Sequence, residues 1–104
     1  MFSVPSKPPQ TVSGQNTSST SLNISWNPVP VGFVHGILLG YRVMYKISSR
    51  KDNYFVNTTT LKQTIELEKL KKFTKYNIIV LAYTRIGNGQ TSPVLTVSTD
   101  EDGV

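Results

Sequence analysis

From Ser21 to Trp26 the chain alternates without a slip: Leu22, Ile24 and Trp26 fall on one side, Ser21, Asn23 and Ser25 on the other. A period of two marks a strand with one face buried and one face wet, because successive side chains of extended backbone point in opposite directions. Asn27-Pro28-Val29-Pro30 ends the run, since proline has no N–H to give to a central ladder. The buried face finishes on the only tryptophan of the sequence. A strand of this kind cannot stand alone. It needs a second apolar layer to cover the indole.

That layer is present further along. In Tyr76 to Thr84, Tyr76, Ile78, Val80 and Ala82 take one face while Asn77, Ile79, Leu81 and Tyr83 take the other, so both faces are largely apolar. Over Leu39 to Ile47, Tyr41, Val43 and Tyr45 alternate against Arg42, Met44 and Lys46. Shorter strands are predicted over Gln10–Gly14, Tyr54–Asn57, Gln63–Leu67 and Ser92–Thr99. Polar turns are predicted over Gln15–Thr20 and Ser48–Asn53, and a tight hairpin turn at Gly87-Asn88-Gly89. Ala82 is the only alanine in 104 residues, whereas the β-branched and aromatic residues that strands prefer are abundant. Seven short strands separated by regular turn signals predict an all-β fold, a seven-stranded antiparallel β-sandwich. The length suits one such domain.

Several function classes fall away. Without cysteine there is no disulfide scaffold, thiol nucleophile or thiolate zinc site. The one histidine, His35, has no acid or second histidine near it in sequence, so a metal or acid–base role is not expected. Glu66 and Glu68 share a strand face beside a lysine-rich stretch, with no pocket to work in. No cofactor is expected, and the chain reads as non-enzymatic. The apolar runs Phe33–Leu39 and Ile78–Ala82 are far short of the ~20 residues that cross a bilayer. No charged and apolar leader pattern opens the chain. The 11 basic residues against 6 acidic ones give a net charge of +5, and three of those acids are Asp100, Glu101 and Asp102. A basic body favours acidic partners. Nucleic acid is not expected, because the basic residues are not interleaved with exposed aromatics.

The residues line up with a family. Pro8-Pro9, Trp26 with Pro28, and the run Gly36 to Tyr45 resemble the opening half of a fibronectin type III domain. Leu67, Leu70, Thr74, Tyr76, Val80, Ala82, Gly87, Gly89, Ser92 and Thr99 resemble its closing half. The likeness covers almost the whole chain, from Pro5 to Asp102. An immunoglobulin domain would pack its tryptophan on the third strand against a cystine. Here there is no cystine, and the tryptophan is on the second strand. The resemblance implies a sheet of the first, second and fifth strands facing one of the fourth, third, sixth and seventh. It implies a core built on Trp26, Tyr41, Leu70 and Tyr76. Tyr76 would form a tyrosine corner, its hydroxyl bonding backbone near Leu70. Lys72 stands where the family usually has proline, which removes a φ restraint. The implied limits are a lead-in over 1–7, the domain over 8–99 and an acidic tail over 100–104.

Val4–Pro9 and Thr99–Gly103 resemble the junctions of tandem fibronectin type III arrays in cell-adhesion receptors and receptor-type phosphatases. The expected role is a non-catalytic module outside the cell, in a multidomain, membrane-anchored protein of the plasma membrane. It would provide protein–protein contact, including homophilic contact, and spacing in adhesion or receptor signalling. A glycosaminoglycan-binding matrix module and an intracellular cytoskeletal domain of the same family stay open as alternatives.

Three surfaces are candidates. Asn16, Asn23 and Asn57 each begin an N-x-Ser/Thr sequon on a predicted turn or wet face. Arg42, Met44, Ile79, Leu81 and Tyr83 share the outward face of the third and sixth strands and form a candidate partner surface. Arg50, Lys51, Lys69, Lys71, Lys72 and Lys75 gather at one pole under the implied topology, a candidate site for heparan sulfate or another polyanion. The loops Val29–Gly36 and Arg85–Ser92 lie at the opposite pole, where Phe33 is expected to cap the core. No Arg-Gly-Asp occurs in the second of these loops.

Overall fold

Leu22, Ile24 and Trp26 lie on the buried face of their strand, and Asn23 and Ser25 lie half-buried on the other. The strand is β2, Ser21–Asn27. It belongs to a computed structural model that describes residues 4–49 and 56–99. Around it run β1 (Gln10–Ser18), β3 (Gly40–Ile47), β4 (Val56–Thr60), β5 (Thr64–Leu67), β6 (Lys75–Tyr83), β7 (Asn88–Thr91) and β8 (Leu95–Ser98), with a short 3-10 turn at Val31–Phe33. One sheet has the order β1-β2-β5. The other has the order β4-β3-β6-β7, and β8 also pairs with β6. Every pairing is antiparallel. The architecture is the expected β-sandwich, with eight strands among the described residues rather than seven.

The extra strand comes from Pro93. The run predicted as one strand over Ser92–Thr99 is broken at Ser92-Pro93-Val94, between β7 and β8. Ser92 bridges the break. Its backbone N–H donates to the Val80 carbonyl at 2.8 Å, and its hydroxyl accepts from the Val80 N–H at 2.9 Å. A side chain thus replaces the ladder acceptor that the interrupted backbone does not present, deep in a buried part of β6. The preceding turn also differs. Gly87-Asn88-Gly89 is not the hairpin turn. Thr84 and Gly87 exchange both backbone hydrogen bonds, at 3.1 and 3.2 Å, and close a two-residue loop of Arg85 and Ile86. Gly87 adopts φ +153°, open to glycine, and Asn88 and Gly89 already belong to β7.

Two other boundaries move. β1 continues to Ser18 instead of ending at Gly14, and only Ser19 and Thr20 turn. Its polar end is held by β2 across the ladder and by hydroxyl contacts of Thr17 and Ser18 with Ser21 at 2.6 and 2.7 Å. The strand predicted over Tyr54–Asn57 is observed as Val56–Thr60, with Thr58, Thr59 and Thr60 paired to Val43, Arg42 and Tyr41. Tyr54 and Phe55 lie outside the described residues.

Between the sheets, Trp26 is 3% exposed and meets Tyr41 edge to face, with ring centroids 5.5 Å apart. Tyr41, Val43, Leu67, Leu70, Tyr76, Ile78, Val80 and Ala82 complete the core with Leu22, Ile24 and Val29. Trp26 Nε1 has no hydrogen-bond partner among the described residues. An orphaned buried donor costs about 1–3 kcal/mol. Burying roughly 200 Å² of aromatic surface at about 25 cal/mol per Å² gives about 5 kcal/mol, so the indole is a net gain where it sits.

The corner before β6 has the implied bond: the Lys71 N–H donates to Tyr76 Oη at 2.8 Å. Lys72 leaves the corner without a proline. Hydroxyls tie it instead, with Thr99 Oγ1 donating to the Lys71 carbonyl at 2.7 Å and Thr74 Oγ1 to the Lys72 carbonyl at 2.8 Å. Lys69 and Phe73 both take left-handed φ values, 60° and 50°.

Three outcomes are expected. Tyr76→Phe removes the acceptor of Lys71 N–H and lowers stability by about 0.5–1.5 kcal/mol; an unchanged denaturation midpoint would refute the corner's role. Ser92→Ala leaves the Val80 N–H without its acceptor, for a loss of about 1–3 kcal/mol and faster hydrogen exchange at Val80; slow exchange at Val80 in the variant would refute this account. Burial raises the Tyr41 phenol above its ordinary value of 10, with a smaller opposing pull from a backbone hydrogen bond at Val29. The folded state therefore favours the neutral phenol. Its contribution is complete below pH 10 and is lost as pH climbs through the raised value. Tyr41→Phe is expected to flatten the alkaline limb of a stability-against-pH curve; an identical limb would assign the loss to other groups.

Candidate interaction surfaces

The register of β3 on β6 sets Arg42 opposite Leu81, Met44 opposite Ile79 and Gly40 opposite Tyr83. All five residues of the candidate partner surface thus share the outward face of the larger sheet. They do not form an open apolar patch. Leu81 is 2% exposed, and Arg42, Met44, Ile79 and Tyr83 are half-buried. Arg42 is held across this face. Its Nε donates to Asn88 Oδ1 at 2.9 Å, and its guanidinium lies 4.3 Å from the centre of the Tyr83 ring. Leu81 lies in register between Arg42 on β3 and Thr91 on β7. A partner reaching this face meets a cation on an aromatic ring, with Met44 and Ile79 beside it.

The basic residues gather as the topology implies, as far as they are described. Lys69, Lys71, Lys72 and Lys75 are all exposed at the corner before β6. The Ser48 N–H donates to the Lys75 carbonyl at 2.9 Å, which brings the end of β3 to the same pole. Arg50, Lys51 and Asp100 to Asp102 lie outside the described residues. Glu66 and Glu68 line a shallow hollow with Lys69, so the charge there is mixed on one flank. Phe73, amid the lysines, is 73% exposed.

The sequons sit on strands. Asn16 is exposed on β1, not in a turn. Asn23 is half-buried on the central strand β2, where its Oδ1 accepts from Thr64 Oγ1 at 3.4 Å, in a polar groove with Ser13, Gln15 and Ser25. Asn57 lies on β4 opposite Met44, and its side chain is outside the described part.

The opposite pole holds what the sequence reading missed. Val29 is buried and Val34 half-buried at the end of the core, while Phe33 lies further out, 36% exposed, with the Lys7 ammonium 4.2 Å over its ring. The lead-in is packed there as well. Pro5 is fully buried, the Ser6 N–H donates to the Phe33 carbonyl at 2.9 Å, and Ser6 Oγ lies 2.7 Å from His35 Nε2. The sequence offered no direct signal: Gly87-Asn88-Gly89 reads as a turn, and only its place inside β7 makes Gly89 the kind of strand glycine that marks the close approach of another backbone. Ile37 and Ile86 are 71% and 61% exposed and line one hollow with Arg85. Among the described residues, no three His, Asp or Glu side chains gather closely enough to hold a metal ion.

Comparison with known proteins agrees with this geometry. The sequence pattern of the fibronectin type III domain matches residues 7–98. Protein sidekick-1 of Gallus gallus is 42% identical over 106 residues, covering 96% of this chain and 5% of that protein. Cell adhesion molecule DSCAM of Homo sapiens is 40% identical over 101 residues, covering 95% of this chain and 5% of that protein. The chain therefore spans about 5% of the length of these curated relatives. Among solved structures, the FN1–FN3 domains of chicken CNTN1 superpose with a TM-score of 0.84 at 26% identity, over 93% of this chain and 33% of that one. With two facing sheets, an indole between them, a tyrosine corner and these relatives, the chain belongs to the fibronectin type III family.

Proposed function

We propose that this chain is a non-catalytic module of a multidomain cell-surface adhesion protein, working outside the cell through protein–protein contact and the spacing of its neighbours. The observation that carries the reading is the similarity to sidekick-1 and DSCAM over nearly the full chain, at 5% of the length of each. The outward face of the larger sheet suits such contact. Arg42 over Tyr83 offers a half-buried cation held on an aromatic face, residue types that dominate binding energy at protein interfaces. A non-catalytic role is supported by the surroundings of the one hydroxyl–imidazole pair described above. Ser6 and His35 are both exposed, and their contact holds the lead-in to a loop.

The sequons fit a glycosylated protein of the cell surface, with exposed Asn16 the best placed of the described ones. Binding to heparan sulfate through Lys69, Lys71, Lys72 and Lys75 is the second reading, favoured by their joint exposure at one corner. Charge of this kind also serves ordinary solubility.

Intact cells producing the full polypeptide test both. Surface biotinylation is expected to label it without permeabilisation, and a glycosidase is expected to lower its mass. Labelling only after permeabilisation would overturn the cell-surface reading and favour an intracellular module. Retention of the 104-residue chain on heparin is expected to be little changed by Lys71→Glu with Lys72→Glu; loss of retention would favour the polysaccharide-binding reading.

A further inference from the structure

The outer edge of β7 is occupied. β7 pairs with β6 on one side. On the other side lies the chain's own lead-in, where the Gln90 N–H donates to the Pro5 carbonyl at 3.3 Å. Pro5 is fully buried in that position. The seat is shaped for it. A Cβ placed on Gly89 would fall 2.6 Å from Pro5 Cβ and 2.8 Å from its carbonyl oxygen, distances that no side chain tolerates. Gly87 lies beside Val4, where a Cβ would sit 3.5 Å from Val4 Cγ1. The opposite wall is the loop after β2. There the Phe33 carbonyl accepts from the Ser6 N–H, His35 Nε2 meets Ser6 Oγ, and the Phe33 ring lies under the Lys7 ammonium. Val4–Lys7, which bends at Ser6 and Lys7, thus meets a backbone donor on β7, a backbone acceptor on the facing loop, a glycine-floored hollow and an aromatic ring.

We infer that the groove between β7 and the Val31–His35 loop is a binding site for a proline-bearing segment of chain, filled in cis by Val4–Lys7, and that its occupancy fixes the direction in which the chain enters the module. One main-chain bond on each wall supplies attachment, and a pocket for the proline ring supplies selectivity. Proline suits the seat because it arrives with φ already set and brings no N–H that would need a partner. Covering β7 also removes an open sheet edge, which would otherwise invite pairing with other chains. The inference does not depend on the adhesion reading: it concerns the seating of residues 4–7 and stands or falls in the isolated chain.

The test is hydrogen exchange by NMR on the 104-residue chain. In the unaltered protein the Ser6 and Gln90 amides are expected to be protected. Gly89→Ala is expected to speed exchange at both amides at least tenfold, with Val43 and Val80 still protected. Pro5→Gly provides a second route, since it empties the seat without altering its walls, and the same result is expected. A synthetic peptide of residues 1–7 added to Pro5→Gly is expected to restore protection at Gln90. Failure of the peptide to do so while the unaltered protein remains protected would overturn the binding-site assignment. Ser6 and Gln90 exchanging at open-chain rates in the unaltered protein, or unmoved by both variants, would overturn the inference entirely.

Discussion

The Trp26 indole must stay dry, and the arrangement of both sheets follows from that. It projects from the central strand of the smaller sheet and meets the edge of Tyr41, which projects from β3 in the larger one. Leu22 and Ile24 continue the same face and are fully buried. A slip of one residue in β2 would send all three into water and bring Asn23 and Ser25 inward, so register is strongly specified. Antiparallel pairing with β5, Leu22 to Leu67 and Ile24 to Ile65, carries the constraint along the sheet. The loss of a hydrogen bond at Trp26 Nε1 is tolerated because the apolar area outweighs it.

What was legible in the sequence follows from this. β2, β3 and β6 announce themselves because one or both of their faces are buried, and burial writes itself into side-chain period. The far end of β1 does not, because Gln15, Asn16 and Thr17 are exposed and polar whichever backbone they adopt. β4 reads poorly for a similar reason: the run Asn57 to Thr60 looks like a turn by composition, yet its backbone pairs with β3. The split of the final strand turns on Pro93 and on a serine hydroxyl standing in for a carbonyl, and no periodicity reports a substitution of that kind. The seating of Pro5 on β7 depends on contacts between residues more than eighty positions apart, and Gly89, which makes room for it, reads as a turn residue, so no local pattern reports it.

The outward face of β3 and β6 shows how a residue pattern and a surface can part company. Counting side chains puts Met44, Ile79 and Leu81 on that face, and the register agrees. Exposure does not follow: Leu81 is buried in register between Arg42 and Thr91, and the Arg42 head is held by Asn88 and Tyr83. Long amphipathic side chains cover apolar neighbours and keep their charge in contact with water. What this face presents is a guanidinium stacked on an aromatic ring, a planar cation held in one orientation, unlike the solvent-held lysines of the opposite corner.

Both ends of the described chain are fastened to loops rather than left to leave the sandwich freely. At entry, Val4–Lys7 engages β7 and the loop after β2. At exit, Thr99 is buried. Its N–H donates to the Thr74 carbonyl, and its hydroxyl both accepts from the Thr74 N–H and donates to the Lys71 carbonyl. That second latch shares the corner with Tyr76, whose ring packs edge to face on Tyr45 of β3. β6 runs between the two, ending near the entry loops at Tyr83 and beginning beside the exit corner at Lys75. The two latches thus lie at opposite ends of β6, a strand with apolar residues on both faces. Fastened on both sides, the chain leaves the sandwich from defined points at opposite poles, so the rigid core and the segments that enter and leave it act as one packed unit.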